Sequence, residues 1–244
     1  MRSFGAVDSK LYEADFFCSE LGKVGSNIYR GQYLFSAFVA SGRSVTFSIQ
    51  ASISDVDGFA EWYSGIQSNL KKDKLARFFH DCRTDSQHIG LNPLIGGAGY
   101  KDSQRLYFGQ PEPHRYKYIP DIDVHAACVS YMQILCQVVN DCYGRFALII
   151  DPNAIYTISG LSQLNLSIED VEEELGFPRG YTDILWPEEG KDEERLKLLR
   201  RQIAMPTVEE LFIKYAELDV FVEDRRKEYQ TAFDLARRID EMHV

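Results

Sequence analysis

The 244-residue sequence has no apolar run long enough to cross a membrane; the longest candidate, Phe146 to Ile150, stops at Asp151-Pro152. It has no CxxC pair, and its cysteines are odd in number: Cys18, Cys82, Cys128, Cys136 and Cys142. That pattern argues against a disulfide framework and against a cysteine-based zinc site. Cys128, Cys136 and Cys142 share one apolar helical pattern and read as buried thiols. No signal-peptide pattern opens the chain, so the expected setting is a reducing cytoplasm, with no membrane partner. Basic residues are in deficit, 27 against 37 acidic, for a net charge of −10. Such a chain repels nucleic acid at long range, which excludes a nonspecific coating protein and requires any nucleic-acid contact to be local.

Several signatures of chemistry are also missing. Gly96-Gly97-Ala98-Gly99 lacks the Lys and Ser/Thr that complete a phosphate loop and reads as a flexible linker. There is no serine nucleophile elbow, no dinucleotide fingerprint, and no internal repeat or low-complexity segment. His80, His114, His125 and His243 form no zinc set, and neither a metal nor a cofactor is expected. The carboxylates of Glu172-Glu173-Glu174 and Glu188-Glu189 read as solvated faces and loops.

What is present is a core-forming, helix-rich pattern, with 45% hydrophobic residues. Apolar spacing predicts helices over residues 9–23, capped by Asp8 or Ser9, and over 29–53, whose small residues permit close helix contact. A third helix starts from Asp55 or Asp57. A fourth starts from Asp73, turns Leu75, Phe78, Phe79 and Cys82 inward, and stops at Gly90. Arg105 to Phe108 and His114 to Ile119, around Gln110-Pro111-Glu112-Pro113, read as a β-hairpin. A long helix from Asp121 or Asp123 then closes a four-helix bundle. Beyond Asp151-Pro152 the composition is more charged: Ser167-Ile168-Glu169-Asp170 resembles a capping box, Gly176 ends that helix, and further helices are expected at 191–203, 207–218 and 219–241. The expected fold is mainly α: an up-down bundle over residues 1–150 with a β-hairpin inserted near 104–119, and a helical extension over 151–244.

The fourth helix carries the residues best suited to chemistry. Arg83 offers a planar, permanently charged fork for phosphate, and His88 an imidazole able to exchange protons near neutral pH. Together they suit cleavage of RNA by attack of a ribose 2′-hydroxyl on its own phosphodiester, which needs no metal. Five residues along an ideal helix turn the chain by about 500°, so the two side chains diverge by about 140° if the helix runs straight through both. A loosened helix end, or a two-fold dimer in which each subunit supplies its own pair, resolves this. The plainer alternatives are an ion pair of Arg83 with Asp81 or Asp85, and His88 capping the last carbonyls. Between Lys71 and Lys117 nine basic residues face five acidic ones, a local excess of +4 in an acidic protein. Lys71, Lys72 and Arg77 lie in this segment as a phosphate path. Arg43 joins them if the second helix borders the cleft; otherwise it forms an inter-helix ion pair.

Arg83-Thr84-Asp85-Ser86-Gln87-His88 at a helix end resembles the R-x4-6-H motif of the HEPN superfamily. Phe35 to Phe47, Phe59-Ala60-Glu61-Trp62-Tyr63 and Leu75-Ala76-Arg77-Phe78-Phe79 are similar to helices of bacterial HEPN-like proteins, and the likeness covers roughly residues 8–150. The resemblance implies a homodimeric helical bundle whose two Arg/His pairs line a shared cleft. In active members it implies a metal-independent endoribonuclease that leaves a 2′,3′-cyclic phosphate, often in a toxin–antitoxin or phage-defence system. Arg83 then stabilises phosphate and transition state, and His88 acts as general acid/base; by proximity alone, Thr84 is placed to donate to phosphate and Asp85 or Ser86 to orient His88, and Thr84 and Asp85 are counted with the substrate-binding residues. In nuclease members Asn, Asp or His commonly follows the motif arginine, where this chain has Thr84. The alternative is a noncatalytic HEPN-like dimer that binds RNA, a nucleotide or a partner protein through its acidic C-terminal helices; a third reading is a toxin held silent by a cognate antitoxin.

Overall fold

The computed structural model describes residues 2–96, 105–184, 189–202 and 208–216. Among these residues the protein is mainly helical, with ten helices and one two-stranded sheet. The expected linker at Gly97–Gly99 and the helix expected at 219–241 lie outside the described residues.

Helix α1 (Gly5–Gly22) starts earlier than its polar residues suggested. Asp8 does not cap it; it lies inside the first turn, buried, where both carboxylate oxygens accept from the Tyr143 hydroxyl at 3.0 and 2.8 Å. Helix α2 (Ile28–Ile53) is capped by Asn27, whose side chain accepts from the Arg30 amide. Helix α3 (Phe59–Lys72) begins after Gly58 at φ +78°, a left-handed turn that glycine adopts without strain, and not at Asp55 or Asp57. Helix α4 (Lys74–His88) is capped by Asp73 as expected, and helix α5 (Val124–Ile150) by Asp123.

Helices α1, α2, α4 and α5 surround one apolar core. Leu11 and Cys18, Phe35, Phe38 and Ile49, Phe78, Phe79 and Cys82, and Met132, Leu135 and Val139 are its main contributions. Aromatic rings fix its centre: Tyr131 stacks on Phe79 with centroids 4.4 Å apart and planes 7° apart, and Phe38 meets both rings edge-on. Gly42 matters here because an added Cβ would lie 3.0 Å from the Tyr131 ring.

The expected hairpin between Arg105–Phe108 and His114–Ile119 does not form. Strand β2 (Tyr107–Phe108) pairs instead with β1 (Leu94–Ile95), antiparallel and upstream. Two prolines in residues 110–113 remove backbone donors, and the Gln110 side chain takes the place of a strand partner. Its amide nitrogen donates to the Tyr116 carbonyl at 2.8 Å, and its oxygen accepts from the Tyr116 amide at 3.0 Å. Phe108 and Tyr116 then bury their rings against Phe78.

After Asp151, α6 (Pro152–Ile155), α7 (Ile158–Leu164), α8 (Ile168–Glu174) and α9 (Lys191–Arg200) build a second, smaller core from Ile155, Tyr156, Leu161, Val171, Leu196 and Leu199. Ser167 and Asp170 form the capping box that begins α8, and Gly176 follows its end at φ +85°. Glu172, expected on a solvated face, is fully buried and accepts from the Gly180 and Thr182 amides, the Thr182 hydroxyl and Arg195. Helix α10 (Glu209–Ala216) returns to the first core: Leu211, Phe212 and Tyr215 bury against it, and the Tyr215 hydroxyl donates to Asp15 at 2.6 Å. Among the described residues no helix is long and apolar enough to cross a membrane.

Candidate functional site

Helix α4 carries Arg77, Arg83, Thr84, Asp85 and His88, five of the residues that the sequence suggested for chemistry; Lys71 and Lys72 end α3, and Arg43 lies on α2. Its inward face carries Ala76, Phe78, Phe79, Cys82 and Asp85, which packs the helix against α2, α3 and α5 and against Phe108 and Tyr116. The helix is unbroken to His88; the chain leaves it through Ile89 and Gly90, the latter at φ +69°. Because no loosening separates Arg83 from His88, their directions differ by about 140°. Within one subunit the structure does not bring the pair together.

Arg83 is half-buried, and its Nε is buried with no hydrogen-bond partner among the described residues. A buried donor left in that state costs about 1–3 kcal/mol. Neither Asp81 nor Asp85 pairs with it. Asp85 is only 4% exposed, and both its oxygens accept from Arg115, from Nε at 2.8 Å and from a terminal nitrogen. The hydrogen bonds from Arg115 hold the Asp85 carboxyl below the usual carboxylate range against the opposing effect of burial. Asp85 therefore clamps residues 109–119 onto α4 rather than presenting a free carboxylate. The Thr84 hydroxyl donates to the His80 carbonyl at 3.0 Å, and His88 is exposed and makes no hydrogen bond to a described residue. Arg115 was visible only as part of a basic segment, since its partner lies 30 residues upstream.

Three other predicted residues do converge. Arg43 from α2, Lys71 from α3 and Arg77 from α4 line one cleft of about 160 Å³, together with Thr46, Tyr63, Gln67, His80 and Tyr131. No carboxylate lines it. Arg43 forms no inter-helix ion pair among the described residues; its guanidinium lies 4.2 Å over the Phe47 ring and donates to the Thr46 hydroxyl at 3.1 Å. Arg77 also lines a neighbouring cleft of about 170 Å³ with Lys74, Phe78, Asp81, Lys117 and Tyr118. Lys72 is exposed and lines neither. Sequence reasoning had not placed His80, Tyr131 or Gln67 with these cations. Only the i, i+3 spacing of Arg77 and His80 hinted that those two share a helix face.

All five cysteines are free and buried. Burial pushes the Cys18 thiol up to about 11 and that of Cys136 to about 12, which removes both as nucleophiles at neutral pH. Among the described residues no three His, Cys, Asp or Glu side chains gather as metal donors. Comparisons with known protein families, with curated proteins and with solved structures found no match.

Proposed function

We propose that this protein is a metal-independent endoribonuclease of the HEPN type that works as a symmetric homodimer. The observation that carries the reading is the state of Arg83 and His88. A half-buried guanidinium with an unpartnered Nε and an exposed, unbonded imidazole sit in the last turns of one unbroken helix, neither in an ion pair with a carboxylate of the described residues. Their divergence within a subunit is met by a two-fold axis near the end of α4, which sets Arg83 of each subunit beside His88 of the other. In such a cleft the two arginines neutralise the scissile phosphate and the charge that develops on it. The imidazoles take the proton from the 2′-hydroxyl and return one to the 5′-oxygen as it leaves. The products carry a 2′,3′-cyclic phosphate and a 5′-hydroxyl, and in a cell such an activity suits a toxin or a phage-defence effector.

The test is incubation of the purified protein with mixed RNA in chelator, followed by analysis of product ends. Cyclic phosphate that disappears in both Arg83→Ala and His88→Ala supports the proposal, whereas cleavage unchanged in either folded variant overturns it.

A second reading, a noncatalytic dimer that binds RNA or a nucleotide, is favoured by the engagement of Asp85 with Arg115 and of Thr84 with its own helix. Neither side chain is free to orient His88. RNA binding without any cleavage separates this reading from the first.

A further inference from the structure

We propose that the cleft between α2, α3 and α4 is a phosphomonoester site, distinct from the Arg83/His88 end of α4. Its lining supplies three basic side chains, Arg43, Lys71 and Arg77, from three different helices and no carboxylate. None of the three has a carboxylate within ion-pair distance among the described residues, although the protein as a whole carries a charge of −10. Such a concentration of unneutralised charge repels itself unless an anion joins it.

Tyr131 adds a neutral donor to the lining, its hydroxyl reaching solvent. It lines the same cleft, is only 8% exposed, and its hydroxyl makes no hydrogen bond to a described residue. The ring has little freedom to turn elsewhere, because it is stacked on Phe79 at 4.4 Å and flanked by Gly42. Burial pushes the phenol up to about 12, with Arg43 opposing, so it remains a donor at neutral pH. The Tyr63 hydroxyl, by contrast, is satisfied, donating to the Thr46 carbonyl at 3.3 Å and accepting from Gln50 at 2.9 Å. The site thus offers cations and one rigid neutral donor, a set that suits phosphate oxygens.

A phosphomonoester fits better than a backbone diester on charge. Near pH 7 it carries about −1.5 to −2 and three strong acceptor oxygens, against −1 for a diester. The cleft is also small, about 160 Å³, so a terminal group enters more easily than a chain that must leave on both sides. Arg77 connects it to the neighbouring cleft, where Lys74, Lys117 and the exposed Tyr118 stand beside a single carboxylate, Asp81, and this gives a strand attached to that phosphate a path out. The phosphate end of an RNA strand is therefore the favoured source; that last step rests on the ribonuclease reading, and the phosphate chemistry does not.

Binding is measured on full-length His88→Ala protein, so that turnover does not enter. Three fluorescent RNA oligonucleotides of one sequence are compared, ending in 5′-phosphate, 3′-phosphate or hydroxyl only, with inorganic phosphate and a nucleoside monophosphate as competitors. A phosphate-ended RNA should bind about tenfold more tightly than the hydroxyl-ended one. Tyr131→Phe, which keeps the ring stack, and Lys71→Gln, on an exposed rim position, should each reduce that preference. Competition by the small phosphates without preference between RNA ends assigns the site to a free phosphomonoester. Equal binding of all three RNAs with no competition overturns the proposal. Loss of RNA cleavage in the wild type would leave these binding results untouched.

Discussion

The substitution Asp8→Asn should make the protein more stable at neutral pH and remove a pH dependence. Asp8 lies in the first turn of α1, 9% exposed, with the Tyr143 hydroxyl as its bonding partner. Burial pushes its carboxyl up to about 6; the Tyr143 hydrogen bond opposes this, and the nearby Asp151 adds repulsion. Between the ordinary 3.8 and about 6 the folded protein holds a proton that the unfolded chain has lost. Stability from this group is therefore greatest below about pH 4, falls as pH rises through that window, and stays low above it. The window spans about two pH units, and at about 1.4 kcal/mol per unit the change amounts to about 3 kcal/mol. The carboxamide of the variant does not titrate and its oxygen still accepts from Tyr143, although its new N–H donor lowers the gain by a constant amount. Urea unfolding followed by circular dichroism from pH 4.5 to 7.5 would yield the stability difference between Asp8→Asn and wild type. Over that range, which covers about 1.5 units of the window, the difference should grow in favour of the variant by about 2 kcal/mol with rising pH. A difference that stays flat across the range would refute the placement of Asp8 as a buried, proton-holding carboxyl.

Glu172→Ala should destabilise the second core by about 3–5 kcal/mol, because it leaves the Gly180 and Thr182 amides and the Thr182 hydroxyl without their acceptor and removes one of the two carboxylates that face the buried Arg195. Hydrogen exchange should show the loss confined to residues 155–200, and uniform loss across both cores would contradict the separation between them. Gly160→Ala places a Cβ 2.1 Å from the Ala154 carbonyl oxygen, so the backbone of α6 and α7 must shift. A loss of at least about 2 kcal/mol in denaturant unfolding is expected, and a neutral result would show that this turn is misplaced. The five thiols should resist a soluble disulfide reagent in the native protein and react together on unfolding; rapid labelling of any one would contradict its burial.

Local chemistry was legible in the sequence. Asp73, Asp123, the Ser167–Asp170 box and the stop at Gly90 act within a few residues, and the inward set Phe78, Phe79 and Cys82 follows from helical spacing. The misreadings concern partners distant in sequence. Period-two patterning at 105–108 signalled a strand but not its partner, and Leu94–Ile95 took the place assigned to residues 114–119. Arg115 holding Asp85, Glu172 buried under Arg195, and α10 closing over α1 and α5 all depend on tertiary placement that no local pattern encodes. In the candidate site the same limit applies. The basic segment was visible, but the gathering of Arg43, Lys71 and Arg77 in one cleft requires three helices to be positioned first.

Mixing two inactive variants tests the shared ribonucleolytic cleft most directly. Arg83→Ala and His88→Ala proteins, each without activity alone, are combined under conditions that allow subunit exchange and assayed on RNA in chelator. Each mixed dimer then holds one Arg83 and one His88 on different subunits. Partly recovered cleavage with 2′,3′-cyclic phosphate ends is the predicted result, because the mixed cleft keeps one Arg83 to hold the phosphate and one His88 to carry the proton from the 2′-hydroxyl to the leaving 5′-oxygen. A mixture as inactive as its components, beside an active wild type, would contradict the pairing across the dimer, and a wild type that leaves RNA intact would contradict the proposed activity itself.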